Sequence, residues 1–448
     1  MVKQPVKGSY PVEVEREETT SAEPRPALRD SGRPRELGAN EGRRNEWLLI
    51  SFAASTNLAD AVTRVTLPLL TLQLTRSPGA VTAVTAVSSL PWLVTALHVG
   101  VLVDRVNRRS LLVGAEAARL ASVGVLLGAF LAERLSVPLI LVVAAVLGVA
   151  DVVAGIAGTS IVPAAIPKAR WQRALARITG VEYLANGFVG APVGGLLVAA
   201  GFAVALWAAG LAYLAGGILL ALLVGNYAVR RTTEPRPAHV EIADGLRFLW
   251  RSTLLRTMAL LITVMAGCWA AWIALIPAYA VGGPLGLSPE QYGLLLTCLG
   301  AGGVAGTLLV GPVNALLGRR WSMFADVVGT TALVGLPAVL PAEPASAWPI
   351  GAAAFVAGAG GTMWTVNSRL IVQSVVPDDM LGRFSAASRT VAWGMTPVAA
   401  ATVGILAEVF SYRVAFGTFA VLCALLVYPF FRVITTDALD QAAEPNTA

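Results

Sequence analysis

Two ionisable residues of opposite charge, Asp60 and Arg64, stand four positions apart inside the first long apolar segment of the chain. The segment begins at Trp47, which places Asp60 about 20 Å along a helix and near the middle of a bilayer. Residues four apart share one face of a helix, so the carboxylate and the guanidinium are expected to pair. Burial disfavours the charged carboxylate and a neighbouring arginine favours it, so a change in their separation would change how readily Asp60 binds a proton. The pair is a candidate for proton coupling, and a permanent structural ion pair is the alternative.

Asp151 is the second candidate for proton coupling. It lies near the centre of another apolar segment, with no basic residue close to it in the sequence. An ionisable group in hydrocarbon is costly and normally has both a partner and a role. Other charged residues of the apolar segments, among them Glu116, Arg119 and Asp326, are assigned to a structural charge network.

The elements that must position these residues are membrane helices. Of the 448 residues, 56% are hydrophobic and only 13% are charged, and the mean hydropathy is +0.69. A soluble protein carries about 25% charged residues. The first 46 residues hold 18 of the 60 charges, so the remainder is nearly free of charge. We therefore predict an all-α membrane protein that contacts the lipid bilayer and binds no nucleic acid, with residues 1–46 as a disordered cytoplasmic tail.

Twelve stretches are long and apolar enough to cross a bilayer as helices. They run over 47–74, 80–103, 110–132, 137–163, 174–199, 202–227, 257–282, 290–314, 321–340, 348–372, 383–407 and 412–433. The loops on the side of the termini hold fifteen basic residues, against three on the other side. Basic loops stay in the cytoplasm, so both termini are expected there. Residues 228–256 are predicted to be a cytoplasmic linker that contains an amphipathic helix from Glu241, and residues 434–448 a C-terminal tail.

The two halves of the chain share a pattern at an offset of 211 residues. Gly100 and the pair Arg108–Arg109 correspond to Gly311 and the pair Arg319–Arg320, and each pattern follows the second predicted span of its half. Internal repeats of this kind are typical of transporters. We therefore predict two six-helix halves, residues 47–227 and 257–433.

The first copy of the pattern resembles the signature of the major facilitator superfamily, which lies between spans two and three. The matching residues are Gly100, Leu102, Asp104, Arg105, Asn107, Arg108 and Arg109. Asn107 replaces a glycine and is expected to adopt the left-handed conformation of a tight turn. The resemblance implies that Asp104 faces the start of span eleven, at Gly382 and Arg383, and forms a gating latch there. The alternative is that these charges only set the topology.

A second resemblance concerns the end of span five. Gly190, Pro192, Gly194 and Gly195 resemble the glycine and proline signature of the superfamily's antiporters, although Ala191 separates Gly190 from Pro192. Close packing of helices through small residues explains the same pattern equally well.

Residues 57–70 of span one and residues 381–397, which lead through span eleven, resemble the corresponding segments of the drug efflux branch related to macrolide and siderophore exporters. That resemblance implies export of amphiphilic small molecules, drugs or natural products, in exchange for protons, by alternating access. Export of a siderophore and import of a small solute are the alternatives. Aromatic and amide side chains are candidates for the substrate cavity, with core packing as the alternative; they are Trp269, Trp272, Tyr279, Trp364, Asn367 and Trp393.

Enzyme chemistry has no signature in this chain, since the sequence contains no HExxH, GxSxG or nucleotide-binding loop. The three cysteines are far apart, so no metal site is predicted, and no cofactor is expected. We expect a monomer in the bacterial inner membrane whose partners are lipid, protons and a small-molecule substrate.

Overall fold

The computed structural model describes residues 39–103, 105–225, 227, 238–377, 380–437 and 439, and all regular structure in these ranges is helical. The helices up to the linker are α1 (Ala39–Leu72), α2 (Pro78–Val94), α3 (Ala96–Val103), α4 (Arg108–Leu131), α5 (Val137–Ala165), α6 (Trp171–Tyr183), α7 (Gly190–Ala200) and α8 (Phe202–Ala221). After it come α9 (Ala238–Arg251), α10 (Thr253–Ala280), α11 (Pro289–Val339), α12 (Ala347–Val375), α13 (Leu381–Val409), α14 (Tyr412–Ala424) and α15 (Val427–Val433). A π-helical turn, Leu184–Val189, joins α6 to α7.

Eight helical stretches within the described residues are long and apolar enough to span a membrane. They are Arg108–Leu131, Val137–Ala165, Lys168–Ala200, Phe202–Ala221, Thr253–Ala280, Pro289–Val339, Val391–Val409 and Tyr412–Val433. The chain is therefore a multi-pass membrane protein, as its composition predicts.

Two glycines separate helices that follow one another directly. Gly201 has φ 137° and ψ 143° between α7 and α8, at the break predicted between spans five and six. Gly318 has φ 83° and ψ 161° inside α11, where the predicted eighth and ninth spans meet. Both have a positive φ, which only glycine adopts at little cost, so each lets the chain change direction without a longer loop.

The helix α1 begins at Ala39, inside the tail that was predicted to be disordered as far as Glu46. Asn45 and Glu46 are fully buried there, and the Asn45 amide donates to the main-chain oxygens of Ala165 and Val224. The prediction of disorder was wrong for residues 39–46, because polar contacts rather than an apolar stripe hold this first part of the helix. Residues 1–38 lie outside the described part of the chain.

The helix α9 lies where the amphipathic helix of the linker was predicted. It packs against α13 rather than presenting its whole apolar face to lipid. Leu249 is buried, and the ring of Phe248 meets that of Phe384 edge-on, with centroids 6.3 Å apart. Trp250 stays largely exposed. Residues 228–237 of the linker lie outside the described residues.

Two groups of helices pack among themselves and meet along a few helix pairs. In the first group, α8 packs against α1 and α4, and α5 packs against α2 and α4. In the second group, α11 packs against α12 and α14, and α10 packs against α13. The groups meet where α2 contacts α13 and α10, and where α7 contacts α11. The charged residues of interest lie in the first group.

Candidate functional site

Three carboxyl groups surround one guanidinium inside the bundle. Nη2 of Arg119 lies 3.3 Å from Asp60 and 3.7 Å from Asp151, and its Nη1 lies 2.6 Å from Glu116. Only 1% of the Arg119 side chain is exposed. We call these four residues the charge cluster. It holds three acids and one base, so the carboxyl groups outnumber the guanidinium and can bind protons.

Three helices build the charge cluster. Glu116 and Arg119 are one helical turn apart on α4, whereas Asp60 comes from α1 and Asp151 from α5. Side chains three apart share a face of a helix, so α4 presents both residues to its neighbours. The cluster therefore depends on how α1 and α5 pack around α4, and the spacing of residues in the sequence does not define it.

Neutral hydrogen-bond donors complete the surroundings of each acid. The Tyr213 hydroxyl on α8 donates to Asp60 Oδ1 at 2.8 Å. Thr56 Oγ1 donates to Glu116 Oε2 at 3.0 Å, and the Trp92 indole donates to Asp151 Oδ2 at 2.7 Å. The donors hold the carboxylates in place, and hydrogen bonds to charged acceptors are among the stronger ones.

The three acids differ in their access to the outside of the bundle. The exposed fraction of the side chain is 54% for Asp151, 17% for Asp60 and 2% for Glu116. Asp151 is therefore the most accessible of the three acids, and Arg119 contacts both it and the two less accessible acids.

Arg64 is not the ion-pair partner of Asp60. Its guanidinium donates to the side-chain oxygen of Asn186, and its Nε lies 3.3 Å from the main-chain oxygen of Asp60. Asn186 lies in the π-helical turn and also donates to Asn57. The predicted pairing was wrong because the Asp60 carboxylate bonds to residues of α4 and α8, while the Arg64 guanidinium reaches the turn before α7. The sequence predicts Arg119 as part of a structural charge network, because it is a charge inside an apolar helix. Tyr213, Trp92 and Asn186 carry no such charge and were not predicted at this site.

The residues of the superfamily signature lie at the end of α3 and the start of α4. Asp104 and the side chain of Arg383 lie outside the described residues, so the predicted latch stays a prediction; Gly382 belongs to the first turn of α13. Arg108 donates to the main-chain oxygen of Ser160 at 2.9 Å, and Arg109 donates to that of Ala221. Both arginines thus bind the ends of neighbouring helices. Gly100 has open space beside it, and Arg105 is exposed.

Asn107 does not adopt the left-handed conformation that was predicted for it. Its φ is −57°, and its side chain accepts hydrogen bonds from the main-chain N–H groups of Arg109 and Ser110. Asparagine is a strongly preferred N-cap because its side-chain oxygen satisfies N–H groups that the first turn leaves free. In the second copy, Gly318 occupies the corresponding position with a positive φ. The two copies therefore make their turns differently.

The glycines of the antiporter-like segment are packed against two other helices. A β-carbon at Gly190 would lie 2.2 Å from that of Ala61 on α1, and one at Gly195 would lie 2.7 Å from the main-chain oxygen of Pro289 on α11. One at Gly194 would lie 3.1 Å from a side-chain carbon of α1. Pro192 lies in the first turn of the same helix, α7. The geometry favours the packing interpretation of this motif, which needs small residues wherever backbones approach this closely.

The candidate residues for the substrate cavity do not line one open space. Trp272, Tyr279, Trp364 and Asn367 are buried in the core, so in this structure they pack against protein. Asn367 donates to Ser322 and exchanges hydrogen bonds with Asn314, and Tyr279 packs edge-on against the rings of Tyr412 and Phe416. Trp269 is half-buried and donates to Thr330, whereas Trp393 is exposed. A contact between any of them and a substrate stays a prediction.

Comparisons with known proteins agree with this architecture. A family model described as transmembrane secretion effector matches residues 45–447. The multidrug efflux pump Tap of Mycolicibacterium fortuitum is 26% identical over 412 residues, which cover 90% of this chain and 99% of that protein. The Tap pump of Mycobacterium tuberculosis (strain ATCC 25618 / H37Rv) is 30% identical over 318 residues, which cover 68% of this chain and 74% of that protein.

Solved structures of transporters share the fold. A point mutant of the nucleoside transporter NupG superposes with a TM-score of 0.67 at 11% identity, covering 87% of this chain and 100% of that chain. A bacterial homologue of the iron transporter ferroportin in an inward-facing state superposes with a TM-score of 0.63 at 14% identity, covering 87% of this chain and 98% of that chain. Identities this low indicate a common fold and nothing about the substrate.

Proposed function

Because the chain belongs to the transmembrane secretion effector family of the major facilitator superfamily, we propose that it exports amphiphilic small molecules from the cell in exchange for protons. The relatives named above are multidrug efflux pumps, which favours export of drugs or natural products over import of a solute or export of a siderophore alone. The mycobacterial relatives favour the bacterial inner membrane as its location.

We propose that the described helices cross the membrane twelve times. Each of the pairs α2–α3, α6–α7 and α14–α15 counts as one crossing, and α11 counts as two because it breaks at Gly318. The helices α1–α8 then form one six-helix half and α10–α15 the other, in agreement with the two packing groups. The excess of basic residues in the loops next to the termini supports cytoplasmic ends.

We propose transport by alternating access, which the contacts between the two halves support. The Ser77 hydroxyl and the main-chain N–H of Gly79, at the start of α2, both donate to Glu408 at the end of α13. Gly195 and Gly293 bring α7 and α11 together at the same end of the bundle. These contacts lie at the helix ends away from the proposed cytoplasmic termini. They support a state closed towards the outside, which must separate when the halves rock to the other state.

The observation that carries the proposed coupling is the shared guanidinium of Arg119. If Asp60, Glu116 and Asp151 were all ionised, three negative charges would share the one guanidinium that forms ion pairs with them in the described part of the chain. Such charges are costly inside a membrane protein, so the cluster gains from binding protons when the substrate has left. A substrate with a positive charge competes for the same exposed acid, Asp151. Binding of protons and of substrate then exclude one another, which is the requirement for exchange.

The test replaces Asp60 by asparagine, which keeps the shape of the side chain and an oxygen that accepts from Tyr213. A fluorescent cationic dye is added to the medium of everted membrane vesicles energised by a proton gradient, and uptake of dye into the vesicles and movement of protons are measured together. We expect Asp60→Asn to abolish both, at an unchanged level of protein in the membrane. The matched control is Asp244→Asn, which removes a carboxylate from α9 outside the charge cluster. Proton movement of normal size in Asp60→Asn would contradict the coupling role.

A further inference from the structure

Beside the amino-terminal part of α1, the structure contains a polar cavity of ≈ 370 Å³ that export does not explain. Its lining residues are Arg43, Trp47, Arg170, Arg173 and Arg177, and we call this cavity the arginine pocket. Arg170 directly precedes α6, and residues 173 and 177 are four positions apart on that helix, as residues 43 and 47 are on α1. Two helices thus present their basic faces to each other.

A buried carboxylate fixes two of the four arginines. Glu46 is fully buried and lies 2.7 Å from Arg170 and 2.8 Å from Arg177. The guanidinium of Arg177 also lies over the ring of Trp47, 5.8 Å from its centroid. Because both arginines are held in place, less side-chain entropy is lost when a ligand binds them.

Within the described residues, the arginine pocket carries more positive charge than its ion pairs neutralise. Glu46 is the one carboxylate there that pairs with any of its four arginines, which leaves a surplus of three positive charges. Arg43 and Arg173 form no ion pair with a carboxylate in the ranges that the structure describes, and both are exposed. Nε of Arg170 is buried without a hydrogen-bond partner there. The exposed guanidinium groups of Arg43 and Arg173 are therefore available to an anion.

We propose that the arginine pocket binds a phosphate group, carried by an anionic phospholipid headgroup or by a free phosphate anion. Guanidinium groups bind phosphate through paired N–H donors, and several of them around one cavity match an anion with several oxygens. Trp47 is exposed at the end of the apolar part of α1, where an indole ring prefers the headgroup layer. Basic pockets between membrane helices are known binding sites for lipid headgroups. The site is independent of the proposed export, because it shares no residue with the charge cluster.

The experiment uses the purified full-length protein in a neutral detergent. Native mass spectrometry counts the retained molecules of dioleoylphosphatidylglycerol and of dioleoylphosphatidylcholine, each added at the same concentration, and calorimetry measures the binding of inorganic phosphate. The variant Arg43→Gln/Arg173→Gln removes the two arginines that have no ion pair and leaves both contacts of Glu46. The control variant Arg76→Gln/Arg251→Gln removes two exposed arginines elsewhere and changes the net charge equally. Elution from a size-exclusion column is used to check that the unaltered protein and both variants are folded.

For the unaltered protein and the control variant, we expect a phosphatidylglycerol adduct that is at least tenfold more abundant than that of phosphatidylcholine. In Arg43→Gln/Arg173→Gln this preference should fall to less than twofold. Binding of inorganic phosphate without a preference for phosphatidylglycerol, lost in the same variant, would support the site and identify free phosphate as its ligand. Equal binding of both probes by this variant and by the control would overturn the proposal. Dye efflux plays no part in these readouts, so the result does not depend on the proposed function.

Discussion

Nη2 of Arg119 lies 3.3 Å from Oδ2 of Asp60, so a single ion pair joins α4 to α1 inside the bundle. The pair is not isolated, because the same guanidinium also contacts Glu116 and Asp151. Any change at Arg119 therefore affects three acids at once. The consequences for stability and for transport can be separated experimentally.

Replacing Arg119 by glutamine should destabilise the protein in a manner that depends on pH. Without the guanidinium, ionised carboxylates of the charge cluster have no counter-ion, and breaking a buried ion pair costs about 3–5 kcal/mol. Protonation removes that cost, so we expect the apparent Tm to fall further at pH 8 than at pH 5. Thermal unfolding in detergent between pH 5 and pH 8 measures this fall in apparent Tm. The control is Arg119→Lys, which keeps the positive charge. An equal loss at both pH values would show that Arg119 acts only through packing.

Replacing Tyr213 by phenylalanine removes one hydroxyl and leaves the ring in place. That hydroxyl donates to Asp60 at 2.8 Å, and loss of a partner of a charged group costs about 1–3 kcal/mol. We expect a lower Tm and a shift in the pH dependence of dye efflux, since Tyr213 is a direct hydrogen-bond partner of Asp60, the group proposed to bind the proton. The control is Tyr292→Phe, at a buried tyrosine outside the charge cluster. An unchanged pH profile of efflux in Tyr213→Phe would separate Tyr213 from the coupling.

Replacing Gly195 by alanine should weaken the contact between α7 and α11. The added β-carbon would lie 2.7 Å from the main-chain oxygen of Pro289 and 3.0 Å from the α-carbon of Gly293, and backbone atoms have little freedom to move away. Overpacking of this kind costs about 1–3 kcal/mol. Gly158→Ala is the control, because no atom lies within 4 Å of its added β-carbon. Thermal stability and dye efflux are measured for both, and equal values would contradict the packing interpretation of the antiporter-like segment.

The latch predicted from the superfamily signature has its own test. We expect Asp104→Asn to slow the turnover of dye efflux much more than Ala315→Asp changes it, because only the first copy of the signature has an acid at this position. A carboxylate near the amino terminus of a helix is favoured by about 0.3–1 kcal/mol, which is enough to shift the balance between two conformations severalfold. Small and equal effects of both substitutions would reduce the signature to a topology signal.

Asp60 and Asp151 could be predicted from the sequence as candidate acids but their partners could not, whereas the predicted association of Glu116 with Arg119 agrees with the structure. Asp60 and Asp151 are recognisable from the sequence alone, because each is a charged residue in an apolar segment and such a charge is energetically costly there. Arg64 was the nearest base along the helix, yet Arg119 is the base in space. Asn107 shows the same limit. Asparagine is typical both of left-handed turns and of helix N-caps, and the two differ in backbone angles that the sequence does not give.

The sequence by itself determined that this chain is a helical membrane protein, where most of its helices begin and end, and that it resembles drug exporters. These properties depend on hydrophobicity, on the spacing of charges and on short motifs, all of which are local. The tertiary structure decided which residues meet: Arg119 with three acids, Glu46 with two arginines, and Gly195 with Gly293. The physical reason is that such contacts depend on how each helix rotates and packs against neighbours far away in the chain, and no local pattern of residues specifies that rotation.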